Sequence, residues 1–176
     1  MKERVRIARL SGAIACAALG IAASLGAQDR PSSASGKEKT VTFHAKGSFE
    51  PALTPQPPED KAAGSTLARL SIAKKWHGDL EATSEGQMIS AITEVKGSAA
   101  YVAIERVSGT LGERHGSFVL QHMGTLDRGA SHLSVTAVPD SGTGELTGIR
   151  IFNFNLKIAE DGKHFYEFDY ALPKQP

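Results

Sequence analysis

Tyr101 and Glu105 are four residues apart in a run that alternates with period two, so a strand carrying them turns a phenol and a carboxylate to the same face. If that face is interior, low dielectric should raise the carboxyl pKa and make Glu105 the candidate catalytic acid or base. The competing reading pairs Glu105 with Arg106, Arg69 or a lysine as a structural ion pair, which perturbs a carboxylate equally well. Farther along, Gln121 and His122 are neighbours and therefore point to opposite faces, so only one of them can join Glu105. A turn centred on Glu113-Arg114 brings His122 to Glu105. A turn centred on Arg114 alone brings Gln121 instead. Trp76, the single tryptophan, falls at the end of a predicted strand, where it either stacks on a ligand or covers a barrel mouth. Tyr101, Glu105, Gln121, His122 and Trp76 are thus the candidate ligand-binding residues.

Other chemistries lack their residues. The six histidines, at 44, 77, 115, 122, 132 and 164, show no His-x-His or His-x-x-x-His spacing, so no metal is expected. Ser141-Gly142-Thr143-Gly144 is followed by no Gly-Lys-Ser/Thr and reads as a hairpin turn rather than a phosphate loop. No Gly-x-Ser-x-Gly elbow occurs. No cofactor is expected.

The elements that must position these side chains begin after residue 39. Residues 1–27 read as a cleaved secretory signal peptide: Lys2, Arg4, Arg6 and Arg9 precede an apolar run from Leu10 to Leu25 that ends in small residues. Cys16 lies inside that run. A lipoprotein reading would acylate it, but apolar residues continue to Leu25 where a polar tether should begin. Cleavage after Ala27 leaves 149 residues, no thiol, no membrane span and one domain's worth of chain. It also takes 20 basic and 19 acidic residues to 16 and 18, a near-neutral balance that argues against a nucleic-acid partner. The expected address is periplasmic or secreted. Residues 28–39 are Ser, Gly, Pro and charge, and read as a flexible linker.

From Thr40 to residue 176 the pattern is a single all-β domain. Val41, Phe43, Ala45 and Phe49 alternate with polar residues in a first strand. Pro51 to Pro58 is too proline-rich for a ladder and reads as a surface loop. Further strands are predicted at 65–75, 80–84, 87–96, 99–108, 117–124, 131–138, 146–158 and 163–172, with turns at Gly112 to Gly116, Pro139 to Gly144 and Glu160 to Gly162. Short gaps make an antiparallel meander. Several strands are apolar on both faces, which implies either a barrel with its outside covered by a terminal segment or a second subunit, or two stacked sheets. Roughly eight strands suit an up-and-down barrel, whose interior holds one small ligand.

Gly47-Ser48-Phe49, Arg69 with Lys74 and Lys75, Gly78 to Glu81, Ser84 to Met88, Gly97 to Leu111, Gly116 to Gly124, Val138 to Gly148 and Gly162 to Tyr170 together resemble the bacterial DUF3224 family, catalogued only as a domain of unknown function. The resemblance implies an allene oxide cyclase-like β-barrel and supplies no activity. The chain departs from the pattern in its long Pro-rich stretch and in carrying Ala82 and Asp140 where glycine is usual. Plant cyclases of that fold close a ring on a fatty-acid epoxide in an apolar cavity, but fold does not transfer chemistry. The expected function is binding of a small apolar or amphipathic ligand without catalysis. The alternatives are an isomerase or cyclase-type enzyme using Glu105, and a structural or homo-oligomeric barrel with a filled lumen.

Overall fold

The computed structural model describes residues 40–174, with no side chain described for residue 58. The predicted signal segment and linker lie outside the described residues.

Eight antiparallel strands make one sheet: β1 (Thr40–Ala62), β2 (Ser65–Gly78), β3 (Leu80–Thr93), β4 (Ala99–Leu111), β5 (Arg114–Asp127), β6 (Ala130–Ala137), β7 (Arg150–Ile158) and β8 (His164–Pro173). Hydrogen-bonded neighbours run β6-β5-β4-β3-β2-β1-β8-β7. The sheet curls until β6 and β7 lie against each other without a ladder, giving a nearly closed up-and-down barrel. Alternation puts Ile72, Trp76, Ala103, Val107, Phe118, Leu120, Phe168 and Tyr170 inside. On the outside, Ile89, Val102 and Met123 are paired across β3, β4 and β5 and stand exposed, so no described segment covers this face.

Three local expectations are corrected. Pro51 to Pro58 is part of β1, not a loop: Pro51 pairs with Lys74 and Pro55 with Leu70, and the register shifts only between Gln56 and Asp60. β8 begins opposite Phe49, so beyond that point β1 has a neighbour on one side only, and a free strand edge tolerates residues that cannot donate. The predicted strands 80–84 and 87–96 are one strand, β3. Finally, Ser141 to Gly144 is not a hairpin turn, and residues 146–149 are not strand. The segment from Val138 to Ile149 crosses from β6 to β7 and contains one 3₁₀ turn, Gly144–Leu146.

That crossing segment takes over from β6 along β5. The Val119 N–H donates to Ser141 Oγ at 3.0 Å, the Ser117 N–H to Thr143 Oγ1 at 3.0 Å, and the Thr143 N–H returns to the Ser117 carbonyl at 2.8 Å. It also lays Leu146 and Ile149 into the core beside Phe118, which closes one end of the barrel. Phe43 stacks on Tyr170 at the same end, with ring centroids 5.1 Å apart.

Candidate functional site

Midway along the barrel, four strands deliver a polar cluster to the interior. Lys74 and Trp76 come from β2, Ser84 from β3, Glu105 from β4 and His122 from β5. Glu105 is fully buried, and each of its oxygens is engaged. Lys74 Nζ donates to Oε2 at 2.6 Å, and the Ser84 hydroxyl donates to Oε1. The Trp76 indole N–H donates to Ser84 Oγ at 2.8 Å, so a single chain of donors runs from the tryptophan to the carboxylate. His122 Nε2 lies 3.0 Å from Glu105 Oε2 but off the hydrogen-bond axis, which leaves this buried nitrogen without an aligned partner among the described residues.

The electrostatics reverse one expectation. Burial alone pushes the Glu105 carboxyl up, as anticipated, but the contact with His122, the charge and hydrogen bond of Lys74 and the Ser84 hydroxyl outweigh it and bring the pKa down to about 2. Since the His122 contact is poorly aligned, Lys74 is the principal support of the anion. Burial in turn lowers the Lys74 pKa, opposed by Glu105. The result is a buried ion pair with no net charge. The lysine also lies 5.0 Å from the ring centroids of both Phe49 and Trp76, where the aromatic faces favour a cation.

Above this cluster, away from the closed end, the interior opens into a cavity of about 260 Å³. Its wall is mostly apolar, with Ile72, Met88, Leu133 and Phe154 among its members, and its polar atoms come from Lys74, Tyr101, His122 and His164. Glu105 is not in the wall; Lys74 and His122 stand between it and the space. Tyr101 is half-buried, and its ring lies across Gly124, its partner on β5. A Cβ at Gly124 would sit 2.2 Å from Tyr101 Cε1, so only glycine there lets the ring fold over the strand. Burial, and secondarily the Glu105 charge, raise the Tyr101 hydroxyl pKa, so the phenol stays neutral.

Of the residues singled out from sequence, Tyr101, Trp76 and His122 line the cavity, and Glu105 underlies it. Gln121 points outward and is exposed. The hairpin explains the sorting. Leu111 pairs with Arg114, so the turn centres on Gly112-Glu113, one residue earlier than expected. Glu105 therefore faces Leu120 directly, and His122 is its diagonal neighbour on the same face. Trp76 is not at the mouth: it is almost fully buried at the cavity floor. The sequence reading missed Ser84 and did not single out Lys74 from the other cations. The parity of Ile72, Lys74 and Trp76 was the available signal, since the inward Trp76 carries Lys74 with it, while Arg69 and Arg106 are exposed. Among the described residues no group of three or more His, Cys, Asp or Glu is arranged to hold a metal ion.

Fold and site define a class: a small antiparallel barrel, packed at one end, with a buried lysine–glutamate pair flooring an apolar cavity at the other. The chain belongs to the DUF3224 family, described as protein of unknown function, whose profile it matches over residues 45–170. It is similar to a crystal structure, at 1.84 Å resolution, of a protein with unknown function from this family from Shewanella oneidensis MR-1. The two are 43% identical with a TM-score of 0.71, over 77% of this chain and 100% of that one. No curated protein matches the chain.

Proposed function

We propose that the protein is an exported carrier or sensor that holds one small apolar or amphipathic molecule in the barrel without transforming it. The observation behind this reading is the cavity: about 260 Å³ bounded largely by hydrocarbon and aromatic groups, with a few convergent polar atoms, is how small-molecule sites are generally built. A barrel that was merely structural would gain by filling that space, since apolar voids cost stability. The position of Glu105 favours binding over an isomerase or cyclase reaction, because a carboxylate sealed behind Lys74 and His122 and held near a pKa of 2 is a poor proton acceptor. Export rests on the charged, then apolar, character of residues 1–27.

Native mass spectrometry of the purified full-length product tests the reading. The expected spectrum contains a population heavier than the mature chain by one small molecule, released by organic extraction. N-terminal sequencing of the same material should begin at Gln28. Protein that carries no adduct, and whose Trp76 emission is indifferent to every probe described below, would overturn the binding reading.

A further inference from the structure

The polar atoms of the cavity wall are unevenly matched, and the imbalance specifies a ligand. Lys74 is an ammonium with three N–H groups, which can only donate. One of them goes to Glu105, and no other hydrogen bond engages Nζ among the described residues. Tyr101 lines the same cavity, and its hydroxyl makes no hydrogen bond among the described residues. The strongest acceptor nearby, Glu105, is sealed beneath the floor and already receives Lys74 and Ser84. Lys74 therefore offers a donor to whatever enters, whereas the Tyr101 hydroxyl and the His164 ring can either donate or accept.

Charge narrows the choice further. Lys74 and Glu105 neutralise each other at 2.6 Å. A carboxylate entering the cavity would compete with Glu105 for the lysine and leave one anion buried without a partner. An ammonium would meet Lys74 as a like charge. Either outcome is strongly unfavourable in a low-dielectric interior. An alcohol brings an acceptor for Lys74 but also an O–H, which Tyr101 or His164 would have to accept. A neutral carbonyl compound brings only an acceptor. An alkane leaves the donors unsatisfied, at the usual cost of an unmade buried hydrogen bond.

We propose that the cavity is a site for a neutral, predominantly apolar ketone, aldehyde or ester whose carbonyl oxygen accepts from Lys74 Nζ and the Tyr101 hydroxyl. This rests on the binding reading above and specifies the chemical class of its ligand. The His122 ring borders the same cavity, while its buried Nε2 faces Glu105 at 3.0 Å rather than the open space.

Trp76 makes the test direct, because the only tryptophan of the chain lines the cavity and its emission reports occupancy. Protein freed of any co-purified molecule is titrated with five probes on one nine-carbon chain: 2-nonanone, 2-nonanol, nonane, nonanoate and nonylammonium. The expected order places the ketone first, the alcohol between it and the alkane, the alkane weaker than the ketone by about tenfold, and the two ions weaker still. Tyr101→Phe keeps the ring over Gly124 and should weaken the ketone three- to tenfold while leaving the alkane unchanged. The paired substitution Lys74→Met with Glu105→Gln removes both charges together, so it avoids stranding either one, and should reduce the preference of ketone over alkane to the part that the Tyr101 hydroxyl supplies. Equal affinities for all five probes, or tightest binding of nonanoate or nonylammonium, would overturn the carbonyl assignment and leave the binding reading standing. An adduct in native mass spectrometry that is not a carbonyl compound would do the same. Silence toward all five probes with no adduct overturns both.

Discussion

The two halves of the barrel interior are built from the same strands to different ends. Toward the Gly112 turn, Val107, Leu111, Phe118, Leu146, Phe168 and Tyr170 pack the lumen, and Phe168 stacks on Tyr166 at 5.6 Å. Toward the other end the same alternation supplies Met88, Ala103, Tyr101 and Leu133, and about 260 Å³ remain open. The closed half has an additional element, the crossing segment that inserts Leu146 and Ile149, whereas nothing described is inserted into the open half. The polar cluster lies where the two meet. The difference teaches that dense packing and open space are divided along the barrel axis, with the ion pair marking the boundary.

The sharpest break of that comparison is a matched truncation. Phe118→Ala, in the closed half, is expected to cost about 3–5 kcal/mol, as buried phenylalanines generally do. Met88→Ala, on the cavity wall, removes a half-buried side chain already next to empty space and should cost less than about 2 kcal/mol. Urea denaturation of both variants checks this, and equal losses would mean that the open half is as load-sharing as the closed one.

The boundary itself should respond to acid. The Glu105 carboxyl is depressed from 4.5 to about 2 in the folded chain, so the unfolded state binds more protons between those values. The stabilisation is complete above the unfolded pKa and is lost as pH falls toward about 2. At about 1.4 kcal/mol per unit it amounts to roughly 3 kcal/mol. Thermal unfolding of wild type from about pH 5 to about pH 2 should show this decline, superimposed on that of other carboxylates. Glu105→Gln should flatten the difference across that window and lower stability at neutral pH, because the buried Lys74 then loses its counterion. A wild-type profile indistinguishable in shape from that of Glu105→Gln would contradict the ion pair.

The smallest effect is expected one residue from the site. Gln121→Ala, on the outer face, should change stability by less than about 0.5 kcal/mol and leave Trp76 emission as in wild type. A large effect there would mean that β5 is turned over relative to β4.

That contrast also shows what was legible in the chain. The period-two alternation carried the barrel and placed Tyr101 and Glu105 on one face, because strand parity is a property of sequence alone. Whether His122 or Gln121 accompanies them depends on the turn, and the turn was placed one residue late. Gly112 takes φ +61° while Glu113 stays out of the positive-φ region, the arrangement of a two-residue turn with glycine in the first central place. The rise expected for the Glu105 pKa was half of the physics: burial was foreseen, but its counterion comes from β2, 31 residues away in the chain, where local pattern says nothing about pairing. The same holds for Pro51 to Pro58. Local chemistry speaks against a strand there, and only the start of β8 at His164, opposite Phe49, leaves an edge that makes one permissible.

The seam between β6 and β7 gives the barrel a mechanical axis. Seven of the eight strand boundaries are stitched by backbone hydrogen bonds and one is held by side-chain packing alone, so the molecule behaves as a rolled cuff rather than a hoop. Loosening a cuff takes place at its overlap. Leu133 and Val135 on β6 and Phe154 and Leu156 on β7 flank that line and also line the cavity, so widening the seam enlarges the pocket without breaking a ladder. Under the proposed carrier role, a guest slightly too large for the resting space would be accommodated by the edges parting, and the opening of β7 would set the rate of its arrival and departure.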